Sequence, residues 1–241
     1  MTPIVINMWS GPRNVSTAMM YSWRERSDTV VFDEPFYGLY LQQFDPGHPG
    51  RDETIASMPL SYDETIAAIN AATGPPVRYI KNIGHHLDVL DHSVLDLFTN
   101  VLMIREPDFV IASLARTMGL DIDISITGLR QQVEVLDHEL AAERTPIVFD
   151  SRQLLHDPTA CLTSICEHVG IEFDPGMLSW PPGPKPEDGV WAKYWYENTH
   201  ASTAFGEYRR PHVPDEILAH PILSEARAMY DRLAEHCFGS G

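Results

Sequence analysis

The chain has 241 residues, of which 44% are hydrophobic and 21% charged, and its formal net charge at pH 7 is −17. This length and composition are typical of a globular protein, and we assign residues 1–241 to a single domain. The strong negative charge argues against nucleic acid or an anionic membrane as the main partner.

Five short apolar segments rich in valine and isoleucine predict buried parallel strands, at 3–10, 29–34, 77–81, 100–105 and 146–150. Helical patterns are predicted between and after them, at 16–26, 62–72, 108–117, 125–143, 158–169 and 218–236. The alternation predicts a three-layer α/β fold, in which helices flank a central, mostly parallel five-stranded sheet. Residues 42–59, which include an Asp-Pro-Gly sequence, are predicted to form a long loop that could act as a lid.

The loop after the first strand has the composition of an anion site. It consists of Gly11, Pro12, Arg13, Asn14, Val15, Ser16 and Thr17. A helix N-terminus offers free N–H groups and a partial positive charge, to which an arginine and two hydroxyls are added here. The same residues could simply cap the helix. The second glycine and the lysine of the usual nucleotide loop are absent.

Charged residues end the other predicted strands, and ligands of such sheets bind beyond the carboxyl ends of the strands. They are Asp33, Glu34, Lys81, Arg105 and Asp150. The acidic pair at 33–34 resembles the strand end that holds magnesium in nucleoside triphosphatases. A kinase or NTPase that uses Mg-ATP is therefore one interpretation.

Two segments resemble the sulfotransferases that use 3'-phosphoadenosine 5'-phosphosulfate (PAPS), which have a P-loop-type fold. Residues 12–17, PRNVST, resemble the loop for the 5'-phosphosulfate, with Arg13 at its basic position. Residues 100–116, NVLMIREPDFVIASLAR, resemble the 3'-phosphate segment, in which a strand ends in an arginine and a helical serine follows. Arg105 and Ser113 match those two positions.

The resemblance implies transfer of a sulfuryl group from PAPS to a hydroxyl or amine of a small-molecule acceptor, with release of adenosine 3',5'-bisphosphate. Residues 11–17, Arg105 and Ser113 would hold the donor, and no metal ion would be required. Residues 187–205 resemble the C-terminal segment of bacterial and plant sulfotransferase-like proteins. Lys193 or the region 195–202, within a segment taken as 187–210, would therefore close over the nucleotide.

The acceptor hydroxyl needs a general base. Glu34 leads, because some bacterial members of the family use a glutamate just after the second strand. Asp33 and the pair His85 and His86 are alternatives, and Arg13 would stabilise the leaving oxygen.

Two departures from the family pattern affect the loop. Val15 replaces a common glycine and restricts how closely the backbone can approach the donor. Arg13 replaces a common lysine and offers a planar fork in place of a point charge. A homologue that binds the nucleotide without catalysis is therefore a further alternative.

Three cysteines, Cys161, Cys166 and Cys237, form no metal-type pair. With no apolar run near the roughly 18 residues of a membrane helix, we expect a cytoplasmic protein with free thiols and no membrane insertion.

Overall fold

The computed structural model describes residues 3–44, 47–72 and 74–238. Its centre is a five-stranded sheet in the order β2-β3-β1-β4-β5, and every neighbouring pair of strands is parallel. The strands are β1 (Ile4–Ser10), β2 (Thr29–Asp33), β3 (Val77–Ile83), β4 (Thr99–Ile104) and β5 (Ile147–Asp150). The predicted α/β fold with a five-stranded sheet is confirmed.

Helices cover both faces of this sheet, and no helix in the described ranges is long and apolar enough to cross a membrane. The α-helices are α1 (Ser16–Arg24), α2 (Tyr37–Gln43), α3 (Arg51–Ser57), α4 (Tyr62–Ala71), α5 (Pro107–Met118), α6 (Leu129–Ala141), α7 (Ser151–His156), α8 (Pro158–Val169), α9 (Ala192–Trp195), α10 (Glu197–His200), α11 (Asp215–Leu218) and α12 (Leu223–Ala234). Short 3-10 helices lie at Gly84–Val89, His92–Leu97, Ile124–Thr127 and Pro175–Leu178.

The strands are buried on both sides, which explains why they are apolar without strict alternation. Along β1, Ile6 and Met8 pack into a cluster with α1 and α8. Trp9 points the other way and packs with α5, α6 and α12. The result is the predicted three-layer arrangement, with a separate core on each face of the sheet.

The predicted helix 125–143 is wrong at its start, because Gly128 interrupts it. Gly128 has a φ of 72°, a left-handed conformation that glycine adopts without steric cost. A Cβ atom placed on Gly84 would lie 2.5 Å from the carbonyl oxygen of Gly128. The two backbones therefore meet where only glycine fits, and α6 begins after this contact.

Two other predicted boundaries are also wrong. The predicted loop 42–59 contains α3, whose first turn carries two acidic residues, Asp52 and Glu53, that favour a helix N-terminus. Asp45 and Pro46 of that loop lie outside the described residues. The predicted helix 218–236 begins only at Leu223, because Pro221 disfavours helical geometry in the residue before it.

The carboxyl ends of β1 and β4 form the switch point of the sheet. The two strands are neighbours, but α1 follows β1 onto one face while α5 follows β4 onto the other. A crevice opens where connections diverge in this way, and it is the usual ligand site of such sheets.

Candidate active site

The loop after β1 leaves the N-terminus of α1 without a side-chain cap. The side chain of Asn14 is used otherwise: its Oδ1 accepts from the N–H of Val15 at 2.9 Å, and its Nδ2 donates to the carbonyl of Met103 on β4 at 3.2 Å. Asn14 thus ties the loop to β4. The positive end of α1 remains free to face an anion.

Two candidate catalytic residues have strained backbones. Arg13 has a φ of 58° and Glu34 a φ of 47°, in a region that costs a non-glycine residue on the order of 1–3 kcal/mol. Among the described non-glycine residues, only Glu143 shares this property. Gly11 is required nearby, because a Cβ atom there would lie 2.7 Å from the carbonyl oxygen of Thr127. The packing around the loop therefore holds Arg13 in one place.

The donor residues predicted from two distant segments meet at the switch point. Arg13 donates from Nε to the hydroxyl of Ser113 on α5 at 3.0 Å, and Arg105 donates from Nη1 to the carbonyl oxygen of Arg13. Burial lowers the pKa of Arg105, and the nearby charges of Arg13 and Arg116 lower it further, while Asp150 opposes them. We call Arg13, Arg105 and Arg116 the arginine cluster. It is a local concentration of positive charge on an acidic protein.

A cleft adjoins the arginine cluster between β4 and β5. Its wall combines charged and apolar residues, namely Val15, Arg105, Glu106, Phe109, Asp150, Ser151, Arg152, Leu155, Tyr208 and Arg209. Tyr208 and Arg209 belong to the predicted closing segment 187–210. The part of that segment that reaches the cleft is therefore its end, and not Lys193.

A second group of charges lies where β2 ends. Lys81 of β3 donates from Nζ to Asp33 Oδ1 at 2.9 Å and to Glu34 Oε1 at 2.5 Å, and its side chain is only 1% exposed. Burial raises the pKa of Asp33. Burial opposes the charge of Lys81, but the two carboxylates outweigh it and raise the pKa of Lys81. One ammonium group thus forms ion pairs with two buried carboxylates.

The second oxygen of Glu34 faces a histidine. Its Oε2 lies 3.6 Å from Nε2 of His86, whereas the ring of His85 packs against Tyr40 with ring centres 4.6 Å apart. His86, more than His85, is therefore the imidazole beside Glu34. The predicted catalytic role of His85 stays a prediction.

Burial disfavours the charged form of the imidazoles in this region. Burial is the main cause that lowers the pKa of His85, His86 and His48. Both ring nitrogens of His86 and Nδ1 of His85 are buried without a hydrogen-bond partner in the structure. No group of three metal-ligating side chains occurs in the ranges 3–44, 47–72 and 74–238.

Acidification is expected to destabilise the protein through these imidazoles. In the unfolded chain a histidine takes up a proton as the pH falls below about 6.5. A buried histidine with a lowered pKa takes it up only at lower pH, so stability is lost as the pH falls toward the folded-state pKa. We expect His86→Leu to show a shallower loss of melting temperature than wild type between about pH 8 and pH 5. The exposed His92→Leu is the control, and parallel slopes for the two variants would contradict a neutral, buried His86.

The early part of the C-terminal segment covers the Glu34 region. Tyr37, Tyr40, Leu41, Trp191, Ala192 and Tyr196 pack into one cluster, which we call the aromatic cap. Lys193 lies on its outer side and pairs with Glu53 of α3 at 2.8 Å. Lys193 thus has its partner on α3, and its predicted contact with the nucleotide stays a prediction.

Three residues of the site had no role predicted for them. Lys81 was identified only as the charged end of the third strand, although a lysine inside an otherwise apolar strand must find a buried counter-charge. Tyr196 and Tyr208 carried no such signal. Only the path of the chain brings them to Asp33 and to the cleft beside the arginine cluster.

The strands β2 and β1 are separated by β3 alone, a distance of about 10 Å at two strand spacings. The carboxylate of Glu34 and the loop at Arg13 therefore lie along one edge. An extended anion held at the switch point could reach both.

A family model described as a sulfotransferase domain matches residues 4–234. Two curated proteins of Arabidopsis thaliana are similar over most of this chain. Branched-chain-amino-acid aminotransferase-like protein 1 is 30% identical over 239 residues, which cover 97% of this chain and 42% of that protein. Branched-chain-amino-acid aminotransferase-like protein 2 is 30% identical over 234 residues, with 96% and 42% coverage. The chain spans less than half the length of these relatives.

Solved structures with the same fold include two sulfotransferases. The sulfotransferase domain from the curacin biosynthetic pathway aligns with a TM-score of 0.54 and 14% identity, covering 96% of this chain and 98% of that chain. The sulfotransferase from Alicyclobacillus acidocaldarius aligns with a TM-score of 0.55 and 9% identity, covering 98% and 97%. At these identities the likeness concerns the fold.

Proposed function

Because the chain belongs to the sulfotransferase domain family, we propose that it transfers a sulfuryl group from PAPS to a small-molecule acceptor. The donor supplies a sulfuryl group that is already activated, so the reaction does not require a metal ion. The observation that carries the proposal is the contact of Arg13 with Ser113 and Arg105. It joins the two segments that would hold the two ends of the donor.

Each end of the donor has its own set of residues in this proposal. Arg105, Ser113 and Arg116 hold the 3'-phosphate, while Arg13 and the N-terminus of α1, with Ser16 and Thr17, hold the 5'-phosphosulfate. Charge-assisted hydrogen bonds contribute about 1.5–3 kcal/mol each. A few of them are enough for micromolar binding despite the negative net charge. Tyr208 and Arg209 close the adjoining cleft.

Glu34 is the general base in this proposal. Its Oε2 takes the proton from the acceptor hydroxyl as the acceptor oxygen forms a bond to sulfur. The bond between sulfur and the bridging oxygen breaks, and its electron pair goes to the departing bisphosphate. Arg13 and the backbone N–H groups of the loop stabilise the charge that develops on that oxygen. His86 Nε2 lies 3.6 Å from the same Oε2 atom.

One contact weighs against the alternative use of Mg-ATP. Magnesium would need the carboxylates of Asp33 and Glu34, but the ammonium group of Lys81 already binds both. Calorimetric titration without metal tests the choice directly. We expect adenosine 3',5'-bisphosphate to bind, 5'-AMP to bind much more weakly, and Mg-ATP not to compete. Binding of Mg-ATP alone would replace the sulfotransferase proposal by the kinase one.

Replacing Arg105 by alanine is expected to weaken binding of adenosine 3',5'-bisphosphate. The change removes charged donors to the 3'-phosphate and the contact that holds Arg13. The expected loss is about 3 kcal/mol, or roughly 100-fold in Kd. Arg130→Ala is the matched control, since Arg130 pairs with Glu225 in an exposed bridge. Equal Kd values for the two variants would exclude Arg105 from the donor site.

A further inference from the structure

Tyr196 joins the C-terminal segment to the base. Its hydroxyl oxygen lies 2.6 Å from Lys81 Nζ, and it donates to Asp33 at 2.8 Å. The indole N–H of Trp191 donates to the same oxygen at 3.1 Å. The side chain is buried, and 162 residues separate it from Glu34 along the chain. A phenylalanine would fill the same apolar space without these bonds.

The Tyr196 hydroxyl completes the set of hydrogen-bond partners of Lys81. Lys81 has three N–H donors, and its three partners are Asp33, Glu34 and Tyr196. Asp33 Oδ2 also accepts from the backbone N–H of Gly189 at 3.1 Å. Of the four carboxylate oxygens of Asp33 and Glu34, only Glu34 Oε2 has no hydrogen bond among the described residues.

We propose that Tyr196 is a positioning residue, which occupies the third donor of Lys81 so that Glu34 Oε2 stays available to the acceptor. This rests on the proposed function, in which Glu34 is the base. Without the hydroxyl, the freed N–H of Lys81 is left to the two carboxylates that Lys81 already contacts, and Asp33 loses the donor that it shares with Lys81. The hydrogen bonds of Lys81 are then redistributed between Asp33 and Glu34. A Glu34 carboxylate that accepts a second hydrogen bond from Lys81 is a weaker base, and its orientation changes. Through Tyr196, the aromatic cap thereby controls the ability of Glu34 to act as a base.

The test compares Tyr196→Phe with Tyr194→Phe. The control removes a hydroxyl of the same segment, one that donates to the exposed Glu53. In protein labelled with carbon-13 glutamate, the carboxyl resonance of Glu34 is assigned by its loss in Glu34→Gln. We expect Tyr196→Phe to shift that resonance and Tyr194→Phe to leave it unchanged. An unshifted resonance in Tyr196→Phe would overturn the proposal.

The rate gives a second measurement, with PAPS as donor and water as acceptor. We expect Tyr196→Phe to lower kcat for bisphosphate release roughly 10- to 100-fold while KM for PAPS stays the same. Equal rates for both tyrosine variants would contradict the positioning role. Should wild type neither bind bisphosphate nor consume PAPS, the proposed function fails while the Glu34 resonance still tests Tyr196. If Tyr196→Phe does not fold, the same measurements are made on Trp191→Phe, which removes the other donor to the Tyr196 hydroxyl.

Discussion

Glu34→Gln is expected to lower the rate of sulfuryl transfer roughly 10²- to 10⁴-fold, the usual contribution of a general base. Glutamine keeps the size of the side chain and still accepts from Lys81 through its amide oxygen. It cannot take the proton of the acceptor. The rate is measured as release of adenosine 3',5'-bisphosphate from PAPS, with water and with a panel of uncharged hydroxyl compounds as acceptors.

Donor binding separates this effect from misfolding. Glu34 has no contact with Arg13, Arg105 or Ser113 in the structure, so Kd for adenosine 3',5'-bisphosphate should not change. Asp33→Asn is the informative comparison, because both oxygens of Asp33 are already occupied. An unchanged rate in Glu34→Gln would move the role of base to His86, and His86→Leu would then show the loss. A rate equal to that without enzyme in wild type would favour the homologue that only binds nucleotide.

The strands could be predicted because each is a short apolar run bounded by polar residues. The helices were harder wherever tertiary contacts decide. Gly128 interrupts one predicted helix near its start, because it must pass close to the backbone of Gly84. The sequence of residues 125–143 by itself does not indicate that contact.

The half of the candidate site around Arg13, Arg105 and Ser113 could be predicted from the sequence, and the half around Glu34 only in part. Arg105 and Ser113 lie in one strand–turn–helix unit, so their spacing along the chain fixes their relative positions in space. The loop at Arg13 lies at the end of the neighbouring strand. Tyr196 reaches Asp33 through the path of a long irregular segment. Such long-range contacts leave no periodic signal in the sequence.

Lys81→Met is expected to cost about 3–5 kcal/mol of unfolding free energy, as found when one partner of a buried ion pair is removed. Methionine matches the shape of the lysine stem, so packing changes little. The cost arises because Asp33 and Glu34 keep their buried charges without the ammonium group. Domains of this kind are stable by about 5–15 kcal/mol, so the loss should be plain in denaturant unfolding.

A matched control and a pH series separate charge from packing. Lys193→Met breaks the exposed pair with Glu53 and should change stability little. Without Lys81, burial holds the folded-state pKa of Asp33 further above its unfolded value of about 3.9. A carboxyl group with a raised folded-state pKa loses stability as the pH rises through that pKa and regains it as the pH falls. The deficit of Lys81→Met should therefore shrink on acidification from neutral pH, and adding Asp33→Asn and Glu34→Gln should remove most of it. A deficit that is independent of pH and persists in the triple variant would mean that Lys81 stabilises the fold by packing, and that the carboxylates of the base site do not depend on its charge.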